Sequence, residues 1–303
     1  MPGLTAFKYV SAAGAERCLN DGTLYLASPV ELNDTLEARF ITASTDAYLE
    51  VTESTLAEIA TQRGESPLAF DREALQEFTD VNRQENDRFQ SFCEKIGICS
   101  LAKRPNHQAM WAYYGEGGNG LCLELEFSKE VLEDHQLLPG PVQYSERPRV
   151  LNRAEDWRIS LLEMAEQHPT ASVRDLLRMS LDTPFRRRMG LRMAQRATSL
   201  KHTDWRHEDE IRLLGPNGGK PLPILEKVLT RIHFLDIRSA ARFVPLLAKR
   251  YSKVQLMHWT FDHGELQAHG QPMTLKLIPV HGNADAITLG ASGRPQSPHH
   301  HQD

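Results

Sequence analysis

Apolar and polar positions switch between two periods along the chain, and the switches mark out its elements. Phe7-Lys8-Tyr9-Val10 reads as the start of a strand, Ala12 to Leu19 as a short helix, and Asp21-Gly22 as a turn into a second strand at Thr23-Leu24-Tyr25-Leu26. Between Asp46 and Glu94, Leu56, Ile59 and Ala60, then Leu75, Phe78 and Val81, recur at three- and four-residue spacing. This predicts two helices joined near Gly64 to Pro67. Ile96 to Ser100 and Gly120 to Phe127 read as strands, and the second alternates apolar and acidic residues from Leu123 onward, as a half-exposed strand does. Residues 151 to 200 return to the helical period through Leu161, Leu162, Met164 and Ala165, then Leu176, Leu177 and Met179. The run Glu208 to Leu214 alternates again and stops at Gly215-Pro216-Asn217-Gly218-Gly219. Beyond it, Lys227 to Phe234 predicts a strand, Ser239 to Arg250 a helix, and Val254 to Thr260 and Leu275 to Val280 two more strands.

Strands at both ends with helical segments between them predict an α+β fold. The expected core is a mixed or split β-sheet carrying helical insertions at about 45–95 and 151–200 within one domain over residues 1–285. A tail poor in apolar residues follows at 286–303 and is expected to be disordered.

Composition fits that picture. With 303 residues, 40% of them hydrophobic and 25% charged, the chain can bury a sizeable core. A net charge of −5 leaves no global basic field to hold nucleic acid or anionic lipid nonspecifically, so any such contact is local. No run approaches the roughly 18 apolar residues that span a bilayer, and Met1-Pro2-Gly3 lacks the basic and apolar regions of a signal peptide, which predicts a cytoplasmic location and no membrane partner. Cys18, Cys93, Cys99 and Cys122 are dispersed without metal-ligand spacing, so buried thiols are expected and no metal. Charge is uneven, however. Residues 46–94 are acidic, whereas residues 174–206 hold nine basic side chains against three acidic ones, a surface for nucleic acid or a protein partner, or a helix face that pairs with the acidic helices.

The densest polar cluster runs from His202 to Leu213. On a strand, Glu208, Glu210 and Arg212 line one side while Asp209, Ile211 and Leu213 line the other. Two carboxylates beside a guanidinium can divide acid/base or cation-stabilising work, and a solvated strand face with an ion pair is the plainer alternative. Met110-Trp111-Ala112-Tyr113-Tyr114 places three aromatics where they could stack on a planar ring or close a core helix. Gly115-Glu116-Gly117-Gly118-Asn119-Gly120 opens a strand rather than a helix, so a hairpin or bulge loop fits better than a phosphate cradle. Asn33-Asp34 is turn chemistry by default.

These landmarks together resemble a bacterial family catalogued as domain of unknown function 2971. The shared elements are Phe7-Lys8-Tyr9, then Leu24-Tyr25-Leu26-Ala27-Ser28-Pro29 and Leu32-Asn33-Asp34-Thr35-Leu36-Glu37. Met110-Trp111, Tyr114 and Gly120 follow, then Val142-Gln143-Tyr144-Ser145, and finally Lys201, Trp205, Glu208, Glu210 and Arg212. Thr35 and Leu36 replace the family's usual Pro-Phe, and Gly118 stands where His is common. The layout is also similar to ADP-ribosyltransferases, although those carry Arg or His on the first strand where this chain has Lys8-Tyr9. That likeness implies an NAD-consuming transferase or glycohydrolase, as a toxin or in phage defence, with NAD as substrate and no metal. Glu210 would then stabilise the ribosyl cation and Glu208 would position or deprotonate a protein or nucleic-acid acceptor. Lys8, Tyr9, Asn33, Asp34, Trp111, Tyr114 and Arg212 would bind NAD. Two other expectations stand beside it: a non-catalytic binding module using the 174–206 surface, and a metal-dependent nuclease or hydrolase built on Asn33, Asp34, Glu37, Glu208 and Glu210.

Overall fold

The computed structural model describes residues 3–33, 41–42, 47–65, 93–146, 150–151, 153–262, 265–278 and 286–291. Strand β1 (Leu4–Val10) runs into Ser11, whose side chain accepts the N–H of Gly14 and so starts α1 (Ala12–Asp21). Gly22, at φ 69°, ends the helix in the left-handed conformation that glycine tolerates. There follow β2 (Leu24–Leu26), β3 (Ile41–Thr42), α2 (Ala47–Arg63), β4 (Gly97–Ala102), α3 (Gln108–Tyr113), β5 (Leu121–Phe127), α4 (Lys129–Asp134), β6 (Leu138–Pro141), β7 (Gln143–Ser145) and β8 (Val150–Leu151). Three helices, α5 (Arg153–Gln167), α6 (Val173–Leu181) and α7 (Thr183–Thr198), lead to β9 (Leu200–His202) and β10 (Glu210–Gly215). The last part comprises β11 (Lys220–Leu222), α8 (Leu225–Val228), β12 (Leu229–Phe234), α9 (Ile237–Ala241), α10 (Val244–Arg250), β13 (Gln255–Asp262), β14 (Glu265–Ile278) and β15 (Ala286–Ala291). No helix among the described residues is long and apolar enough to cross a membrane.

The chain is mixed α+β, and its main sheet has the order β15-β14-β13-β12-β5-β1-β4-β10-β6. Its pairings are antiparallel except β12 with β13, which the helices α9 and α10 connect. One face buries Ala6, Val10, Leu101, Leu123 and Leu213 with Leu19 of α1 and Leu247 of α10. The other face carries two separate apolar clusters. Ile98 and Leu214 pack with Leu56, Trp157, Leu176 and Met193 from the helical segments, while Tyr9, Ala102 and Cys122 pack with Met110, Trp111 and Trp259. Register puts Glu210 opposite Ala102 and Arg212 opposite Ser100, so both charged residues share the face of these two clusters.

The sheet is open in the middle. β1 pairs with β5 over seven positions but meets β4 only at Phe7↔Ala102. Past that point Lys8 Nζ donates to the carbonyl of Ser100 at 2.9 Å, and at the far end of β4 Ile98 exchanges both backbone hydrogen bonds with Ala27, just after β2. An ammonium thus satisfies a carbonyl that the ladder leaves without a strand partner.

Several elements differ from the sequence reading for identifiable reasons. Pro245 at the start of α10 lacks an N–H and divides the expected helix of 239–250 into α9 and α10. β14 begins at Glu265, and Ala286–Ala291, placed in the tail by composition, pairs with β14 as β15. β5 is exposed through only one of its two acids: Glu126 is open, whereas Glu124 is buried because β12 brings Arg231 and His233 to its two oxygens, at 2.5 and 2.9 Å. The second helix expected before Glu94 falls on residues 66–92, outside the described residues.

Candidate functional site

A cavity of about 720 Å³ occupies the opening between β1 and β4, and its wall includes Lys8, Tyr9, Ser100, Tyr114, Lys201, Glu208 and Glu210. Four charged groups come from one short stretch. β9 pairs in parallel with β7, which sets Lys201 opposite Tyr144; a 3₁₀ turn over Thr203–Glu208 follows. Asp209, at φ 44° and ψ 52°, then turns the chain into β10 at Glu210. Glu208 therefore reaches the cavity from a turn, not from the extended strand that alternation predicts, because Asp209 interrupts the extended path.

Nor is this face solvated. Glu208 and Glu210 are each 3% exposed, Lys201 is 5% exposed and Arg212 is fully enclosed. Buried charge at this density persists only when every group is paired, and here the two anions and two cations form a formally neutral cluster. Lys201 Nζ donates to Glu208 Oε2 at 2.5 Å and to Glu210 Oε2 at 3.2 Å, and sits 4.8 Å from the ring centre of Trp205. Arg212 grips Glu210 from the inner side, Nε to Oε1 at 2.8 Å and Nη2 to Oε2 at 3.2 Å, while its Nη1 donates to the Thr198 carbonyl. Burial alone would raise the Glu210 pKa; the charge and hydrogen bonds of Arg212, with the charge of Lys201, outweigh it and bring the carboxyl down to about 2. Glu210 is a fixed anion at neutral pH. Its backbone N–H donates to Tyr144 Oη at 3.0 Å, which ties the start of β10 to β7.

Glu208 is held from the opposite side. Tyr114 Oη donates to Glu208 Oε1 at 2.6 Å and accepts from Asn33 Nδ2 at 3.3 Å. Burial, then the hydrogen bond to Glu208, pushes the Tyr114 hydroxyl well above its ordinary pKa, so it stays a donor. Tyr9 presents its ring rather than its hydroxyl: Oη donates to the Arg104 carbonyl at 2.8 Å and accepts from the His107 N–H at 3.1 Å. Trp111 braces that ring edge-on, with centroids 5.2 Å apart and planes at 89°, and anchors itself through Nε1 to the Pro105 carbonyl.

Of the residues singled out in the sequence, Lys8, Tyr9, Asn33, Tyr114, Glu208 and Glu210 line this one cavity. Trp111 and Arg212 do not; both are enclosed behind the wall, where they hold Tyr9 and Glu210. Asp34 lies outside the described residues. Sequence reasoning counted Lys201 among the basic surface residues, whereas it is the bridge between the two acids; its place ahead of Trp205 and Glu208 in the shared family pattern was the available signal. Tyr144 and Arg17, the latter on the cavity wall, were also missed.

The other expected sites fare differently. Arg192 and Arg196 pair with Glu163 and Asp156 of the neighbouring α5, so the 174–206 surface is partly neutralised. Glu116 of the glycine-rich loop accepts the N–H of Ala12 at 2.9 Å, which makes that loop a brace for α1. Among the described residues no group of three or more His, Cys, Asp or Glu is placed to hold a metal ion.

No curated protein and no solved structure matches the chain. One family pattern does, over residues 110–213, a span that holds Tyr114, Lys201, Glu208, Glu210 and Arg212. That segment, about a third of the chain, is similar to the family described as Protein of unknown function (DUF2971).

Proposed function

We propose that this chain cleaves the N-glycosidic bond of NAD in the split-sheet cleft and passes ADP-ribose to an acceptor or to water. The observation that carries this reading is the pair of buried carboxylates, Glu208 and Glu210, in the wall of a cavity to which Tyr9, Tyr114, Lys8, Arg17 and Lys201 also contribute. Its volume of about 720 Å³ falls within the range of small-molecule sites. As the bond from ribose C1′ to nicotinamide breaks, both electrons leave with the pyridine ring and positive charge develops on the ribose. Glu210, immobile and ionised, is a preorganised anion for that charge. Glu208 takes the proton of the attacking hydroxyl or water while the new C1′–O bond forms, with Tyr114 and Lys201 fixing its orientation. The faces of Tyr9 and Tyr114 wall the sugar and nicotinamide, and Lys8 and Arg17 supply positive charge for the diphosphate.

The test is nicotinamide release, measured chromatographically after incubating the purified full chain with NAD, alone and with cell extract as the acceptor source. The expected result is release above the protein-free rate, reduced on the order of 100-fold or more in Glu208→Gln. Folded wild-type protein that releases none, or a Glu208→Gln protein as active as wild type, would overturn the proposal.

A further inference from the structure

Outside the cleft mouth, three rings stand in a row that the site described above does not use. His207 lies between Tyr113, at 5.8 Å between centroids, and Trp205, at 6.2 Å with the planes only 29° apart. Tyr113 is 70% exposed, His207 is exposed and Trp205 half-buried. Exposure of so much ring surface has an energetic cost in a fold that encloses Trp111 and Trp157. The row is also fixed in place: each ring sits next to a residue of the cleft, with Tyr113 before Tyr114 and His207 before Glu208, while Trp205 is held against Lys201.

The charge around it is selective. Lys103 is paired with Asp209 at 2.6 Å, and His202 Nδ1 lies 3.0 Å from Asp204 Oδ2. Exposed Arg104 and Arg206 have no ion pair among those described. An open aromatic row flanked by free guanidiniums matches a polyanion with planar rings, since every base offers a π-face and every link a phosphate. A single nucleotide would use one ring and one cation. The row is longer than that.

We infer that this rim is a stacking platform for single-stranded nucleic acid, whose bases lie on Tyr113 and His207 while Arg104 and Arg206 take the phosphates. It stands independently of the NAD reading. The probe is fluorescence anisotropy of labelled 12-nucleotide DNA and RNA strands with the full chain at 50 and 200 mM salt. Binding is expected to weaken on the order of 10-fold in Tyr113→Ala and in His207→Ala, and the Arg104→Ala, Arg206→Ala double variant is expected to have a shallower salt dependence. Absent binding, binding indifferent to both ring substitutions, an acidic peptide of equal charge bound as tightly, or adenosine monophosphate bound as tightly as the 12-mer would each overturn it. Ring-dependent strand binding without nicotinamide release would leave this inference standing and remove the NAD reading; the converse would do the opposite.

Discussion

Replacing Arg212 with alanine removes the group that makes a buried Glu210 tolerable. Arg212 is fully enclosed and gives Glu210 two hydrogen bonds, and after the substitution Lys201, at 3.2 Å and shared with Glu208, is the nearest cation left. Two independent routes give the size of the effect. A carboxyl titrating at about 2 in the folded chain instead of 4.5 contributes about 3 kcal/mol at neutral pH. Breaking a buried ion pair by deleting one partner costs about 3–5 kcal/mol. Urea unfolding followed by tryptophan fluorescence at pH 7 should therefore show Arg212→Ala less stable than wild type by about 3 kcal/mol. The pH dependence carries the sign. Because the folded pKa is depressed, the stabilisation is fully present above about 4.5 and is lost as pH falls toward 2, so the gap between the two proteins should narrow across that window. A gap below about 0.5 kcal/mol at pH 7, the size of an ordinary surface substitution, or one that is constant from pH 6 to 3, would refute the reasoning.

Tyr114→Phe leaves Glu208 Oε1 buried without its donor and should cost about 1–3 kcal/mol in the same assay; unchanged stability would mean that the 2.6 Å contact contributes nothing. Lys8→Met keeps the stem but strands the Ser100 carbonyl at the opening of the sheet, with an expected loss of about 1–3 kcal/mol, and a neutral result would count against the ammonium as a substitute for a ladder partner. His233 accepts from Trp259 Nε1 at Nδ1, so its proton is on Nε2 and points at Glu124. Burial holds its pKa below the ordinary value despite Glu124, so below about 6.5 the unfolded chain gains a proton that the folded one resists, and stability falls with falling pH. His233→Gln should flatten that part of the stability profile between pH 7 and 5.5, and identical slopes in the two proteins would sink the assignment.

Local signals carried much of this structure. The helix read over Ala12 to Leu19 and the turn read at Asp21-Gly22 bracket α1 closely, and the alternation of Leu121 to Phe127 was enough to place β5. What the sequence could not show is where charge is buried. Glu124 and Glu126 have the same alternation, yet Glu124 is buried and Glu126 exposed, because Arg231 and His233 arrive from more than a hundred residues away. The same holds for the site. Spacing alone put Glu208, Glu210 and Arg212 on one face, but Asp209 in a left-handed turn and Lys201 between the acids are properties of the fold. The cleft itself depends on a single missing stretch of ladder between β1 and β4, which no residue pattern within either strand encodes.

The most direct test of the central claim is the structure of the chain bound to an NAD analogue in which a methylene replaces the ring oxygen of the nicotinamide ribose, so that no oxocarbenium can form. The account predicts the reacting ribose carbon beside Glu208 and Glu210, the pyridine ring against Tyr9 and Tyr114, and the diphosphate toward Lys8 and Arg17. An analogue bound elsewhere on the surface, or one that leaves the cleft empty at millimolar concentration, would contradict it.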